Sequence, residues 1–194
     1  MTKIKTLAIT ALGSMLIWNA AAQNLILNGD FEDPNIGTTS TSYGPGVTTL
    51  TGWTISGDGI QFFSASVSGV TGSQCVQMTL NYVVPAILSQ TIATTPGAYY
   101  TMRVGVAERT GTAVNGTAKF GDTVQPFSFP GGTHYTNVTF VAAATSSSTT
   151  VEIDGGNPND ASMLFVIDDV SVVRLSDTNG IPVLGKTVSL QKSN

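Results

Sequence analysis

Apolar and polar residues alternate along several stretches of this chain. Residues 74–80, 98–108 and 134–142 each carry apolar side chains at every second position, with polar or small side chains between them. A period of two is typical of a β-strand with one buried face. In the middle stretch the predicted buried face consists of Tyr100, Met102, Val104 and Val106.

Glycine and proline separate these stretches at fairly even intervals. They cluster at residues 44–46, 95–97, 130–132 and 155–160. After the first 22 residues, no segment longer than about two turns has a helical period. Many short strands joined by such turns predict an all-β domain, either a sandwich or a barrel.

The first 22 residues have the pattern of a secretory signal peptide. Lys3 and Lys5 precede an apolar stretch at 7–18, which is short for a membrane span, and alanines follow at 20–22. A membrane anchor is the alternative, and the length and the alanines favour the signal. We predict a signal peptide at 1–22, one domain at 23–175 and a polar tail or linker at 176–194.

Charge and cysteine content narrow the possible functions. Removal of Lys3 and Lys5 with the signal changes the formal net charge from −4 to −6. An acidic, lysine-poor surface argues against a nucleic-acid partner. Cys75 is the single cysteine, so no internal disulfide can form, and the fold must rest on its core or on a metal. Alternation places Cys75 on a polar face, where we expect partial exposure.

Acidic residues are concentrated near the two ends of the predicted domain. The motif NGDFEDP at 28–34 has three carboxylates within four positions, although only 10% of the chain is charged. In the motif FVIDDVSVV at 165–173, alternation places Asp168 in the apolar row with Val166 and Val170. A carboxylate that faces a core is costly unless it is paired or binds a metal.

A calcium ion would explain the carboxylates of both acidic motifs if the first and last strands are neighbours, as chain ends commonly are. Glu32 and Asp168 would then converge. Backbone carbonyls of Asn28 or Asp30 would help to complete a shell of roughly six to eight oxygens. The alternative is that the acidic residues of these motifs are solvated turn residues. For the side chains of Asp30, Asp33 and Asp169 singly we predict solvent exposure, and for Glu32 with Asp168 both interpretations stay open on the residues alone.

Four motifs in this order resemble a known family of secreted proteins. They are NLILNGDFEDP, LTGWTISG, LSQTIATTPGAYYTMRVGVAE and FVIDDVSVV, which together span about residues 24–175. The pattern resembles the galactose-binding-like jelly rolls, which include the domain-of-unknown-function family six-four-two and related calcium-containing carbohydrate-binding modules. The resemblance implies a β-sandwich jelly roll, with Glu32 and Asp168 on a structural Ca2+. Cysteines typical of the plant members are missing here.

Candidates for catalysis are few. His134 is the only histidine, and the chain has no G-x-S-x-G motif for a nucleophile. Glu108 and Glu152 are available, but nothing in their spacing indicates the opposed pair of a glycosidase. We therefore predict that the protein is not an enzyme.

Binding of a sugar needs aromatic faces together with planar hydrogen-bonding side chains. Phe62 and Phe63 are adjacent, so only one of them can point inward and the other is a candidate contact. Trp53 and Tyr100 instead have the positions of core residues. We predict a ligand-binding set of Phe62, Phe63, Tyr82, Tyr135 and Arg103.

These patterns predict a secreted, non-catalytic carbohydrate-binding module at a cell surface or in the extracellular matrix. Its expected partner is a polysaccharide or other glycan, with other surface proteins as further partners. We expect no nucleic-acid partner and no integral membrane segment after signal cleavage. One alternative is a structural or adhesive extracellular protein that binds other proteins. A glycan-active enzyme is the other.

Overall fold

The computed structural model describes residues 23–64, 70–79, 84–109, 111, 113–132, 135–156 and 164–175. Within these ranges the chain forms eleven β-strands and no helix. The predicted signal peptide and tail, Tyr82 and His134 lie outside the described residues. The strands are β1 (Thr41–Tyr43), β2 (Thr54–Gly57), β3 (Ile60–Ser64), β4 (Gln74–Gln77), β5 (Ala86–Ala93), β6 (Tyr99–Glu108), β7 (Val114–Phe120), β8 (Thr123–Phe129), β9 (Thr136–Ala143), β10 (Ser148–Asp154) and β11 (Phe165–Arg174).

The strands form two antiparallel sheets that pack face to face as a jelly-roll sandwich. The six-stranded sheet has the order β1-β3-β4-β11-β6-β9, and the five-stranded sheet has the order β2-β5-β10-β7-β8. The predicted all-β sandwich is confirmed.

The core between the sheets follows the alternation of the sequence. The four apolar residues predicted to share a face of β6 are all buried, and Val138 and Ala142 of β9 are buried beside them. Tyr100 of β6 stacks on Phe120 of β7, with ring centroids 5.4 Å apart, which links the two sheets.

The outer face of the six-stranded sheet carries a second, smaller apolar cluster. Cys75 and Val166 are buried there, with Phe63 and Tyr135 packed against them. Cys75 is therefore fully buried, and the expected partial exposure is wrong because other side chains cover this face. Burial raises the pKa of the Cys75 thiol to about 12.

A β-bulge interrupts β11. Asp168 pairs with Gly105 of β6, and Ser171 pairs with Arg103, so that one extra residue lies between these pairs on β11. Asp169 occupies the bulge with a φ of 51°. The bulge places Val170 in the main core although Asp168 shares the outer face with Val166. The predicted apolar row through Asp168 is therefore broken at this point.

The first described segment runs beside the last strand. Asn24 forms an antiparallel bridge with Val173. The Val170 amide donates to the carbonyl of Gly29 at 2.8 Å. A Cβ atom at position 29 would lie 2.0 Å from the Val170 carbonyl oxygen, so glycine permits this approach. The prediction that the first and last segments of the domain are neighbours is confirmed.

Candidate functional site

The NGDFEDP motif forms a tight turn around one buried ring. Phe31 is fully buried and packs against Trp53 and Phe62, with ring centroids 5.4 and 6.4 Å away. The Asn28 side chain closes the turn, since its Nδ2 donates to the Asp33 carbonyl at 2.6 Å and its Oδ1 accepts from the Asp33 amide at 3.1 Å. This anchoring fixes the positions of the acidic residues on either side of the ring.

Glu32 binds the backbone that leads into β4. Its Oε1 accepts hydrogen bonds from the amides of Ser73 at 2.6 Å and Gln74 at 3.1 Å. A Cβ atom at position 72 would lie 2.2 Å from the same oxygen, and Gly72 has a φ of +67°. The buried Gln74 side chain in turn donates to the Phe31 carbonyl. The turn and the start of β4 are therefore linked in both directions.

Asp168 binds the same segment from the other side. Its Oδ2 accepts from the amide and the hydroxyl of Thr71, at 3.2 and 3.4 Å, and its Oδ1 accepts from the Asp169 amide at 2.8 Å. The side chain is 1% exposed. Burial raises the pKa of this carboxyl to about 7, and the neighbouring Asp169 charge adds to the effect. Glu32 and Asp168 thus converge on the segment Thr71–Gln74.

This donor set meets part of what calcium requires. Carboxylate oxygens are the ligands that calcium prefers, and no lysine or arginine of the described ranges forms an ion pair with Asp168. The carbonyl of Asn28 already accepts from the Trp53 indole at 3.0 Å and from the Phe31 amide. No group of three or more His, Cys, Asp or Glu side chains in the described part could hold an ion. Glu32 and Asp168 are the two carboxylates on this segment, and the partners described for their oxygens are amide and hydroxyl donors.

A polar groove of about 360 Å³ lies beside this region, across residues 169–171 of β11. The segment 24–30 forms one side and Arg103 of β6 forms the other, because β11 runs between them. Asp30, which was predicted to help bind a metal, is exposed and lines this groove together with Asp169. The complete lining is Asn24, Ile26, Asn28, Gly29, Asp30, Arg103, Asp169, Val170 and Ser171.

Of the predicted ligand residues, Arg103 lines the groove, and Tyr135 contacts the groove residue Asp169 without lining the groove itself. The Tyr135 hydroxyl donates to Asp169 Oδ2 at 2.9 Å. Burial is the largest of the causes that raise the pKa of Tyr135 well above its usual value, and this hydrogen bond is the next largest. The phenol therefore stays protonated and can donate. Arg103 Nε donates to Asn137 Oδ1 at 2.7 Å. Its two Nη groups have no hydrogen-bond partner in the described part of the chain and are available to a ligand.

The other predicted ligand residues have different roles. Phe62 is fully buried and forms edge contacts with Tyr43 and Phe31, so its predicted role as a ligand contact is wrong. Phe63 points to the outer face, as expected for one of the pair, but the Arg109 guanidinium covers its ring at 3.8 Å. Tyr82 lies outside the described residues.

Several groove residues were not predicted from the sequence. Asp169 was assigned to solvent, yet it accepts from both Tyr135 and Thr71. Asn24 and Ser171 enter the groove only because the first segment pairs with β11. The sequence offered one indication of a polar cluster here. Asn137, which binds Arg103, lies two residues after Tyr135 and therefore on the same face of a predicted strand.

Solved structures with a similar fold include proteins of different kinds. A cyclase from Fischerella sp. TAU superposes with a TM-score of 0.58 at 14% identity, covering 80% of this chain and 98% of that one. The carbohydrate-binding module TmCBM61, solved with β-1,4-galactotriose, gives 0.53 at 18% identity, covering 79% and 100%. The bacteriophage CBA120 tailspike protein 4 gives 0.51 at 15% identity, over 78% of this chain and 21% of that one. At these identities the likeness shows the fold.

Sequence comparison leads to a single family. No curated protein matches the chain. In the described part no helix is long and apolar enough to cross a membrane. The model of the family described as "Protein of unknown function (DUF642)" matches residues 24–173, which include both acidic motifs and every groove residue. The chain therefore belongs to the DUF642 family.

Proposed function

We propose that this protein is a secreted, non-catalytic carbohydrate-binding module that acts at a cell surface or in the extracellular matrix. The observation that carries the proposal is the polar groove over β11, which Arg103, Asp30 and Asp169 line together. Small-molecule sites commonly have volumes of roughly 300–1,000 Å³, and the groove is at the lower end of that range.

The chemistry of the groove suits a neutral, hydroxyl-rich ligand. Each sugar hydroxyl can donate one hydrogen bond and accept others. The carboxylates of Asp30 and Asp169 offer acceptors, and the Nη groups of Arg103 offer donors. Charge-assisted hydrogen bonds of this kind are roughly twice as strong as those between neutral groups. The shared fold with a module that was solved with β-1,4-galactotriose supports the same class of ligand.

A glycan array probed with residues 23–194 tests this proposal. We expect retention on at least one plant, algal or bacterial polysaccharide. Arg103→Ala should weaken it at least about tenfold, because a charge-assisted hydrogen bond contributes about 1.5–3 kcal/mol. Arg174→Ala, which removes an exposed arginine of the same sheet outside the groove, is the matched control. Absence of binding to every glycan would refute the proposal.

A glycan-active enzyme is the second candidate, and one observation favours it. Asp30 and Asp169 line the same groove, and glycosidases use two carboxylates on opposite sides of the scissile bond. Release of reducing ends should be measured on each polysaccharide that binds. Product that disappears in Asp30→Asn and Asp169→Asn would establish catalysis. Binding without product would remove this candidate.

We further propose that Glu32 and Asp168 hold a structural calcium ion next to the segment Thr71–Gln74. The support is a buried carboxyl with no ionic partner in the described ranges, together with a second carboxylate on the same backbone. The ion would supply positive charge that offsets the cost of burying Asp168. The ion would stabilise the fold, and neither Glu32 nor Asp168 lines the groove proposed to bind the glycan.

A further inference from the structure

The outer face of β6 carries an exposed aromatic side chain in line with the groove. Tyr99, Thr101 and Arg103 alternate on this face, while Tyr100 and Met102 point into the core. Tyr99 is 38% exposed. Its hydroxyl has no hydrogen-bond partner in the described part of the chain.

The neighbours of Tyr99 form a shallow patch on the same face. On β9, Ala143 pairs with Tyr99 and Val141 pairs with Thr101. On the other side, the Leu175 amide donates to the Tyr99 carbonyl at 2.9 Å, which places Leu175 beside the ring. Val141 and Leu175 are both exposed. Thr101 lies between Tyr99 and Arg103 on β6, and Thr139 pairs with Arg103 on β9, so the side chains change from apolar to polar along the two strands.

We propose that Tyr99 forms a second subsite of the same binding face and stacks on a sugar ring of a ligand that also occupies the groove. This inference rests on the proposed function and specifies its ligand. Tyr99 and Arg103 are four residues apart on one strand, which corresponds to about 13 Å. A single terminal sugar cannot span that distance. The ligand is therefore a linear oligosaccharide or polysaccharide bound along its chain.

The physical basis is the amphipathic character of both partners. The ring of a tyrosine offers a flat apolar face, and its hydroxyl remains in water. A pyranose ring likewise has an apolar face of C–H groups. The hydroxyl of the half-buried Thr101 lies between the two subsites, and the exposed Thr139 lies beside Arg103, so both can hydrogen-bond sugars of the same chain. The flat outer face of a sheet leaves room for an extended chain.

The test compares two variants with the native protein on ligands of increasing length. Tyr99→Ala removes the ring, and Tyr99→Phe keeps it. Val124→Ala, an exposed apolar residue of the five-stranded sheet, is the control. The probes are oligosaccharides, from the disaccharide upwards, prepared from β-1,4-galactan and from each polysaccharide that the array retains, with affinities measured by calorimetry.

We expect the affinity of the native protein to rise with ligand length. Tyr99→Ala should weaken binding of the long oligosaccharides roughly tenfold and change disaccharide binding less than about twofold. Tyr99→Phe and Val124→Ala should bind like the native protein. Unchanged binding of long oligosaccharides by Tyr99→Ala would overturn the subsite and leave the groove standing, provided that Arg103→Ala still loses affinity. If the native protein binds no glycan, both proposals fall.

Discussion

Three non-glycine residues of the described chain adopt positive φ angles, and all three belong to the two acidic motifs. Asn28, Phe31 and Asp169 have φ values of 53°, 51° and 51°. Asparagine and aspartate tolerate this region, but a bulky aromatic residue adopts it at a cost. Burial of the Phe31 ring against Trp53 offsets that cost and holds the turn in place. The acidic side chains therefore owe their positions to an aromatic residue between them.

Truncation of this ring should be strongly destabilising. We expect Phe31→Ala to lower the free energy of unfolding by about 3–5 kcal/mol, because it removes a fully buried ring and leaves a cavity. Urea denaturation measures the change. Leu27→Ala is the control, since Leu27 lies in the same segment and is 58% exposed. A loss below about 1 kcal/mol for Phe31→Ala would show that the turn does not depend on the ring.

Asp168 makes stability depend on pH. Burial raises its pKa from 3.8 to about 7 in the folded state, which means that folding disfavours the charged form. Its contribution is therefore fully present below pH 3.8 and is lost as the pH rises through 7. In the presence of chelator, we expect the free energy of unfolding to fall between these limits by about 4 kcal/mol.

Denaturation curves at a series of pH values measure this loss. Asp168→Asn keeps the shape of the side chain and cannot ionise, so its curve should be flatter across the same range. Equal pH dependence in the native protein and in Asp168→Asn would assign the titration to another group.

The sequence predicted the strands and their buried faces better than it predicted other levels of the structure. Alternation identified the buried faces of β6 and β9, because each is a regular strand with one face on the core. It failed on β11, where the bulge at Asp169 adds one residue and reverses the faces that follow. A bulge depends on the pairing with β6, so the local pattern of β11 could not reveal it.

The groove could be predicted only in part, for a related reason. Arg103 and Tyr135 were identified by residue type and exposure. Their meeting with Asp169 requires the register of β6 against β11 and β9, which joins residues far apart in the sequence. Phe62 and Phe63 show the same limit, since alternation states that one points inward but not which one.

Gly105 is the residue of β6 that gives Tyr135 its place. A Cβ atom at this position would lie 2.0 Å from the Tyr135 hydroxyl oxygen and 2.8 Å from the Asp168 carbonyl oxygen. We expect Gly105→Ala to displace Tyr135 from Asp169, lower stability by about 1–3 kcal/mol through overpacking, and weaken glycan binding. Thermal unfolding and array binding measure both effects. Gly44→Ala should change neither, because its Cβ would have no neighbour within 4 Å. Full binding by Gly105→Ala would show that Tyr135 is not needed in the groove.

At the scale of the whole molecule, one short segment connects the first described segment with the last strand. Thr71–Gln74 receives Glu32 from the first segment and Asp168 from the last strand. The contacts are hydrogen bonds from backbone amides and a hydroxyl to carboxylate oxygens. A cation at this point would add to them and would tie three distant parts of the chain together.

Removal of calcium should therefore lower the melting temperature. At a calcium concentration about 100 times the Kd, the ion contributes about 2.7 kcal/mol, which corresponds to a decrease of roughly 5–10 °C on chelation. Calorimetry with calcium and with excess chelator measures the difference. Glu32→Gln and Asp168→Asn should remove the response, and Asp122→Asn, in an exposed turn, should retain it. Identical melting of the native protein in both conditions would leave the amide hydrogen bonds as the whole explanation of these carboxylates.

The pairing of Asn24 with Val173 determines where other domains or surfaces can be attached to this one. Residues 24–30 form one side of the groove, so a fusion partner joined ahead of Gln23 would emerge beside the ligand. Leu175 lies next to Tyr99, so a partner joined there would emerge beside the aromatic patch. The turn at Gly121 and Asp122, between β7 and β8, lies on the five-stranded sheet and is exposed. Immobilisation through that turn would leave Gln23 and Leu175 free, whereas attachment directly at Gln23 or Leu175 would place a partner beside the groove or the aromatic patch.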